Sequence, residues 1–222
     1  MTRPKFDSVL FDLDGTLTDS LPGIARSIQH VLRILGAGAP TAIPSEADLR
    51  WCVGPPLREL FQRLLITTDQ SVIEKAVELY IARYERIGFR ESRVFPGVPE
   101  MLAAVAPNRR LILVTSKLTE SAEKVLAEFS LRKYFEGVYG TDHHGKPSDK
   151  SELVQTAIKD HQCAPNSSAI VGDRHHDIAA GKTNGLYAIG VTYGYGTREE
   201  LSTANADKIC TTPTEVTTTL NA

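Results

Sequence analysis

Three short apolar runs in this sequence end abruptly in residues whose types can do chemistry. Val9-Leu10-Phe11 ends in Asp12-Leu13-Asp14-Gly15, Leu111-Ile112-Leu113-Val114 ends in Thr115-Ser116-Lys117, and Ala169-Ile170-Val171 ends in Gly172-Asp173, with Asp177 beyond His175-His176. In a parallel α/β sheet ligands bind outside the carboxyl ends of the strands, so polar residues just after such runs converge on one edge. The convergence would assemble several carboxylates, a hydroxyl and a cation. That set suits a hard divalent cation, which takes oxygen ligands, together with a phosphoryl group. Each residue alone has a plainer use, since Asp or Thr at a strand-to-helix turn commonly caps the helix. Only the joint occurrence, in this order, points to a site.

The elements that must position these residues are legible in the periodicity. Over 20–36, Pro22 falls in a first turn, Ile24, Ile28, Val31, Leu32 and Leu35 recur at helical spacing, and Gly36 ends the pattern, which predicts an amphipathic helix. Ser45-Glu46-Ala47-Asp48 resembles a capping box with Asp in place of Glu, and 56–65 and 71–87 give two further helical periods, the second stopped by Gly88. Beyond Val94-Phe95-Pro96-Gly97, apolar runs at 111–114, 169–171 and 188–191 alternate with helical stretches at 99–105, 119–129, 151–160 and 177–184. Such alternation predicts a parallel sheet with helices on its faces. The expected organisation is an α/β core of residues 1–19 and 91–222, interrupted after its first strand by a helical insertion of residues 20–90.

Composition narrows the partners. Among 222 residues, 25 Lys and Arg oppose 27 Asp and Glu, leaving no basic excess to neutralise a nucleic-acid backbone or an anionic lipid surface. The three cysteines, Cys52, Cys163 and Cys210, are far apart and lack metal-ligand spacing, so they read as reduced thiols. No stretch approaches the ~18 apolar residues of a membrane span, and the first residues carry no apolar signal region. The expectation is a cytoplasmic protein with no nucleic-acid or membrane partner.

Phe11-Asp12-Leu13-Asp14-Gly15-Thr16-Leu17-Thr18-Asp19-Ser20 resembles the first motif of the haloacid dehalogenase superfamily, Val114-Thr115-Ser116-Lys117 its second, and Val171-Gly172-Asp173-Arg174-His175-His176-Asp177 its last. The likeness runs from Phe6 to about Glu200 and includes a helical cap inserted after the first motif. The first motif and Gly54-Pro55-Pro56 look like phosphoglycolate phosphatases. Gly190-Val191-Thr192-Tyr193-Gly194-Tyr195-Gly196 and the placement of Lys150 resemble a branch that includes 5′-nucleotidases.

The resemblance implies a Rossmann-like parallel sheet core with an α-helical cap. It also implies Mg2+-dependent hydrolysis of small soluble phosphomonoesters through an aspartyl phosphate, by a monomer or weak homodimer. Asp12 would be the nucleophile, ionised at neutral pH without an activating base. Asp14 would protonate the leaving alkoxide, then deprotonate the attacking water, and would offer the metal its backbone carbonyl. Asp12 and Asp173 would ligate Mg2+ directly, with Asp177 in support. Thr115, Ser116 and the backbone at Gly15 would bind the phosphoryl oxygens. A lysine should balance the charge: Lys150, opening its helix, is preferred, and Lys146, in a Lys-Pro pair, is the alternative. Gly54, Pro55 and Arg58 would select the substrate from the cap, with Arg50 and Arg90 as further candidates for a second anionic group. A phosphosugar mutase using the same aspartyl phosphate, or a catalytically idle binding module, are the competing readings. Dehalogenation is disfavoured because Asp14 has no use in expelling halide.

Other candidates read as structural. His143-His144 and His175-His176 lack the i, i+4 spacing that presents two zinc ligands from a helix and are expected in surface loops, their rings pointing different ways. Lys117 and Lys124 read as solvated. Tyr80 and Tyr84 fit the interior of the insertion better than a base-stacking platform.

Overall fold

Parallel strands require crossovers, and the helices that make them leave the strand ends free for a site. The computed structural model describes residues 6–36, 43–142 and 149–222. The strands are β1 (Ser8–Phe11), β2 (Thr18–Asp19), β3 (Arg93–Val94), β4 (Arg110–Leu118), β5 (Gly137–Thr141), β6 (Ser168–Gly172), β7 (Tyr187–Val191) and β8 (Lys208–Cys210). The helices are α1 (Leu21–Leu35), α2 (Leu57–Leu65), α3 (Gln70–Arg86), α4 (Val98–Val105), α5 (Thr119–Glu128), α6 (Lys150–Asp160), α7 (His175–Thr183), α8 (Arg198–Thr203) and α9 (Pro213–Asn221). The chain divides into two compact units, Met1–Asp19 with Val94–Ala222, and Ser20–Arg93.

The first unit is a six-stranded sheet in the order β5-β4-β1-β6-β7-β8, parallel throughout. Its central strands β1 and β6 are buried along their whole length because both faces are covered. On one face Leu10, Ile112, Val114, Ile170 and Ala188 meet Val154, Ala157 and Ile158 of α6, Ile178 of α7 and Leu201 of α8. By strand alternation Val9, Phe11, Leu113 and Val171 line the other face, all fully buried, and Phe11 meets Phe135 edge-on at 6.3 Å between ring centroids. Phe11 pairs with Leu113 and with Val171, so Asp12 is level with Val114 and Gly172, and Thr115 and Asp173 stand one residue beyond.

The second unit is helical. α1 ends at Gly36, whose φ of 58° and amide bond to the Leu32 carbonyl close the last turn. Asp69 caps α3 through its bond from the Ser71 amide, 2.9 Å. The Ser45 amide donates to Asp48 at 3.0 Å and the Asp48 amide to the Ser45 hydroxyl at 3.3 Å. The reciprocal box therefore forms, but it opens a 3-10 turn, Ala47–Cys52, rather than an α-helix. A second such turn, Gly88–Glu91, packs on α1 where a Cβ at Gly23 would collide with the Gly88 carbonyl. Tyr80 and Tyr84 are buried and stacked, with Phe61 against Tyr80.

Candidate active site

The chain around Asp12 is fixed by backbone bonds before any side chain acts. The Asp12 amide donates to the Val171 carbonyl at 3.0 Å, the Leu17 amide to Leu13 at 2.9 Å, and the Gly15 amide to Thr18 at 2.8 Å. Gly15 has φ of 95°, and a Cβ there would collide with the Asp173 carboxylate. Both the backbone sign and the close approach require glycine.

Asp12, Asp173 and Asp177 are buried and offer carboxylate oxygens within 4.8 Å of one another, a set that can hold a metal ion. Lys150 joins them from the first turn of α6, its Nζ 2.5 Å from Asp12 Oδ1 and in contact with Asp177 Oδ1. Asp149 caps that helix through the Ser151 amide, 3.1 Å, and so fixes where the lysine starts. Asp173 is held by the Tyr195 amide on Oδ2 at 2.7 Å. Asp177 Oδ2 closes the first turn of α7 by accepting from the Arg174 amide at 2.9 Å, while Oδ1 faces Lys150.

Burial dominates the electrostatics. Loss of solvation pushes the Asp12 carboxyl up to about 7, the Lys150 ammonium pulling it down and Asp177 and Asp14 adding to the rise. Asp173 is raised well above the carboxylate range by burial, then by Asp177 and Asp12. Lys150 is raised although burial opposes it, because Asp12 and Asp177 stabilise its charge. A divalent cation among these carboxylates would reverse the penalty that holds protons on them.

Thr115 is buried within β4 and accepts the Lys117 amide on Oγ1 at 3.2 Å, and the Ser116 carbonyl accepts the Thr141 hydroxyl at 3.3 Å. Lys146 lies outside the described residues, as do His143 and His144. Gly54, Pro55 and Arg58 belong to the second unit, where Arg58 makes a two-pronged bond to Glu74 at 2.7 and 3.0 Å.

Two readings from sequence need correction. Lys117 is not solvated: its Nζ lies 2.8 Å from Asp14 Oδ2, with side-chain exposures of 8% and 11%. β4 runs on past Val114, with a register shift against β5, and carries the lysine inward. His175 and His176 open α7 rather than lying in a loop, and their rings approach to 4.0 Å between centroids instead of diverging. His175 is tied to Glu200, Nδ1 to Oε1 at 2.8 Å, and burial pushes His176 down to about 4.

Sequence reasoning also missed the loop after β7 as a support. Tyr193 donates to the Thr16 carbonyl at 3.1 Å and Tyr195 to Asp19 at 2.7 Å, while a Cβ at Gly194 or Gly196 would strike Asp173. The Tyr193-Gly194-Tyr195-Gly196 alternation was the available signal, because glycines beside aromatics mark close backbone approach.

Comparison with known proteins agrees with this geometry. The family model for haloacid dehalogenase-like hydrolases matches residues 9–191. A 5′-nucleotidase of Pseudomonas aeruginosa is 35% identical over 207 residues, covering 93% of this chain and 91% of its own. A phosphoglycolate phosphatase of Vibrio parahaemolyticus is 30% identical over 224 residues, covering 97% and 96%. The crystal structure of a predicted phosphatase from Clostridium acetobutylicum superposes with a TM-score of 0.89 at 31% identity, over 96% of this chain and 97% of its own. The carboxylates at the ends of β1 and β6, the lysine that opens α6 and the match over most of the chain lead to one assignment: the protein belongs to the haloacid dehalogenase-like hydrolase family.

Proposed function

We propose that this phosphatase-like hydrolase cleaves small phosphomonoesters in a Mg2+-dependent reaction through an aspartyl phosphate on Asp12. The observation that carries the reading is the buried contact of Asp12 with Lys150, 2.5 Å, inside a set of three convergent carboxylates. An anion taken out of water and set against a fixed cation is a poor structural device, because desolvation offsets the attraction. It is a good arrangement for a nucleophile that must meet an anionic substrate.

The donor set fits Mg2+, since all three side chains are hard oxygen donors and no thiolate or imidazole belongs to the cluster among the described residues. Asp12, Asp173 and Asp177, with the Asp14 carbonyl, would hold the ion, which supplies positive charge against the phosphoryl oxygens. The protein's own residues do the rest. An Asp12 oxygen bonds to phosphorus as the ester oxygen leaves, and Asp14 gives that oxygen its proton. Water then attacks the acyl phosphate, Asp14 takes the proton back, and inorganic phosphate departs with Asp12 restored. Thr115 and Ser116 bind phosphoryl oxygens, and Lys150 stabilises their charge. Gly54, Pro55 and Arg58 are assigned to leaving-group selection, because the core residues would meet only the metal, the phosphoryl group and, through Asp14, the ester oxygen common to every substrate.

Phosphate release measured over phosphoglycolate, nucleoside monophosphates, sugar phosphates and pyrophosphate, with Mg2+ and after chelation, tests this. The expected result is metal-dependent release, strongest from phosphoglycolate or a nucleoside monophosphate. Full turnover after exhaustive chelation refutes the metal's role, and isomerisation of a sugar phosphate without release would mark a mutase.

A further inference from the structure

Four carboxylates approach one another at this edge, and two lysines divide them. Lys150 serves Asp12 and Asp177, whereas Lys117 is placed against Asp14, Nζ to Oδ2 at 2.8 Å. We propose that Lys117 is a positioning residue for Asp14, clamping one carboxylate oxygen so that the other is held ready for proton transfer and kept apart from the metal-binding set.

The argument begins with what is free to move. The Asp14 backbone is locked in the turn by the Gly15 amide bond to Thr18, 2.8 Å, and the Thr16 amide bond to Leu13, 3.3 Å. Only its side-chain torsions remain, and Lys117 takes up Oδ2. The remaining oxygen, Oδ1, is buried with no hydrogen-bond partner among the described residues. A buried acceptor left bare is costly unless something else completes it. The leaving oxygen of a substrate, or the attacking water, is a group that could do so.

Lys117 is itself anchored at its backbone. Its amide donates to Thr115 Oγ1 at 3.2 Å, the neighbouring Ser116 carbonyl accepts from Thr141, and a Cβ at Gly140 would collide with the Lys117 carbonyl. A lysine stem rooted in a strand and sealed from water is a rigid support. Displacements of about 1 Å at a proton donor can cost on the order of 10²-fold in rate.

The inference rests on Asp14 being the acid and base, and its test exploits when the acid is needed. An alkyl phosphate requires protonation of its leaving oxygen, whereas p-nitrophenyl phosphate, with a stable leaving anion, requires little. Lys117→Met keeps the stem and removes the charge. It should lower kcat for an alkyl phosphomonoester by about 10²-fold and for p-nitrophenyl phosphate by less than about 5-fold, with Lys117→Arg recovering most of the difference. In an Asp14→Asn background the same change should add nothing.

Equal loss on both substrates, or loss on neither, overturns the proposal. Lys117→Gln carries the same expectation if Lys117→Met fails to fold by thermal unfolding. Failure of both to fold makes the lysine structural and also overturns the proposal. Failure of the underlying reading looks different: the unmodified protein would release no phosphate from either ester, or Asp12→Asn would retain full release.

Discussion

Two ion pairs, one from each unit, stand at opposite extremes of burial. In the core unit Lys150 and Asp12 pair with side chains only 6% and 8% exposed, joining residues 138 positions apart. In the inserted unit Arg58 and Glu74 pair at 49% and 44% exposure, across one helix hairpin. Exposed pairs are worth about 0–1 kcal/mol and are exchangeable, whereas a buried pair recovers its desolvation cost only with good geometry and full partnering. The buried carboxylate–lysine cluster lies in the core unit, whereas the Arg58–Glu74 pair of the insertion is an ordinary surface pair.

The strongest break in that contrast is Asp12→Asn. The amide is nearly isosteric but a far poorer nucleophile, so phosphate release should fall by at least about 10³-fold while the far-UV spectrum is kept. Residual turnover near the starting value would remove Asp12 from the nucleophile role. Lys150→Ala comes next, at about 10²-fold or more in kcat and more than Lys146→Ala costs. It should also destabilise the metal-free protein by about 3–5 kcal/mol, because Asp12 and Asp177 lose their buried cation. Saturating Mg2+ should return part of that stability. If Lys146→Ala proves the more damaging, the charge-balancing role belongs there.

A third test uses protons. The Asp12 carboxyl stands at about 7 in the fold against an ordinary 3.8, so the folded state holds a proton that the unfolded chain has released. Stability from this group is present below its ordinary value and falls as pH rises toward 7, then levels. Without metal, the unmodified protein should lose more thermal stability between pH 5 and 7.5 than Asp12→Asn, which has no such proton. Mg2+ must displace that proton, so its affinity should climb with pH up to about 7 and flatten beyond. Calorimetry in two buffers of different ionisation enthalpy would count the protons; none released at pH 6 would contradict the assignment.

The residues of the site were legible where strand and turn alone placed them. Asp12, Thr115 and Asp173 each follow an apolar run, and parallel pairing in register brings the run ends level. Lys150 was legible as the start of a helix. What escaped was set by long-range packing. Lys117 sits in Thr-Ser-Lys, which reads as a turn, yet β4 continues through it because β5 pairs alongside. β5 was not visible at all: Gly137 and Gly140 blur its alternation, and it lies half-buried at the sheet edge. Tyr195 and Asp19 meet across 176 residues, a contact that no local pattern announces.

The smallest expected effect lies in the insertion and separates stability from selection. Arg58 and Glu74 form a half-exposed pair, so Arg58→Ala should cost no more than about 1 kcal/mol by thermal or urea unfolding. If Arg58 and Pro55 help to choose the leaving group, replacing them should change kcat/KM unevenly across phosphoglycolate, a nucleoside monophosphate and a sugar phosphate. Hydrolysis of p-nitrophenyl phosphate should hardly move, since that ester asks little of its surroundings. Core residues proposed to hold the phosphoryl group and the metal would meet the same groups in every substrate, so damage at Asp12 or Lys150 should scale all rates together. An equal proportional loss on all substrates after the Arg58 and Pro55 replacements would place selection elsewhere, and a stability cost above about 2 kcal/mol would show that Arg58 holds the insertion together rather than reading its ligand.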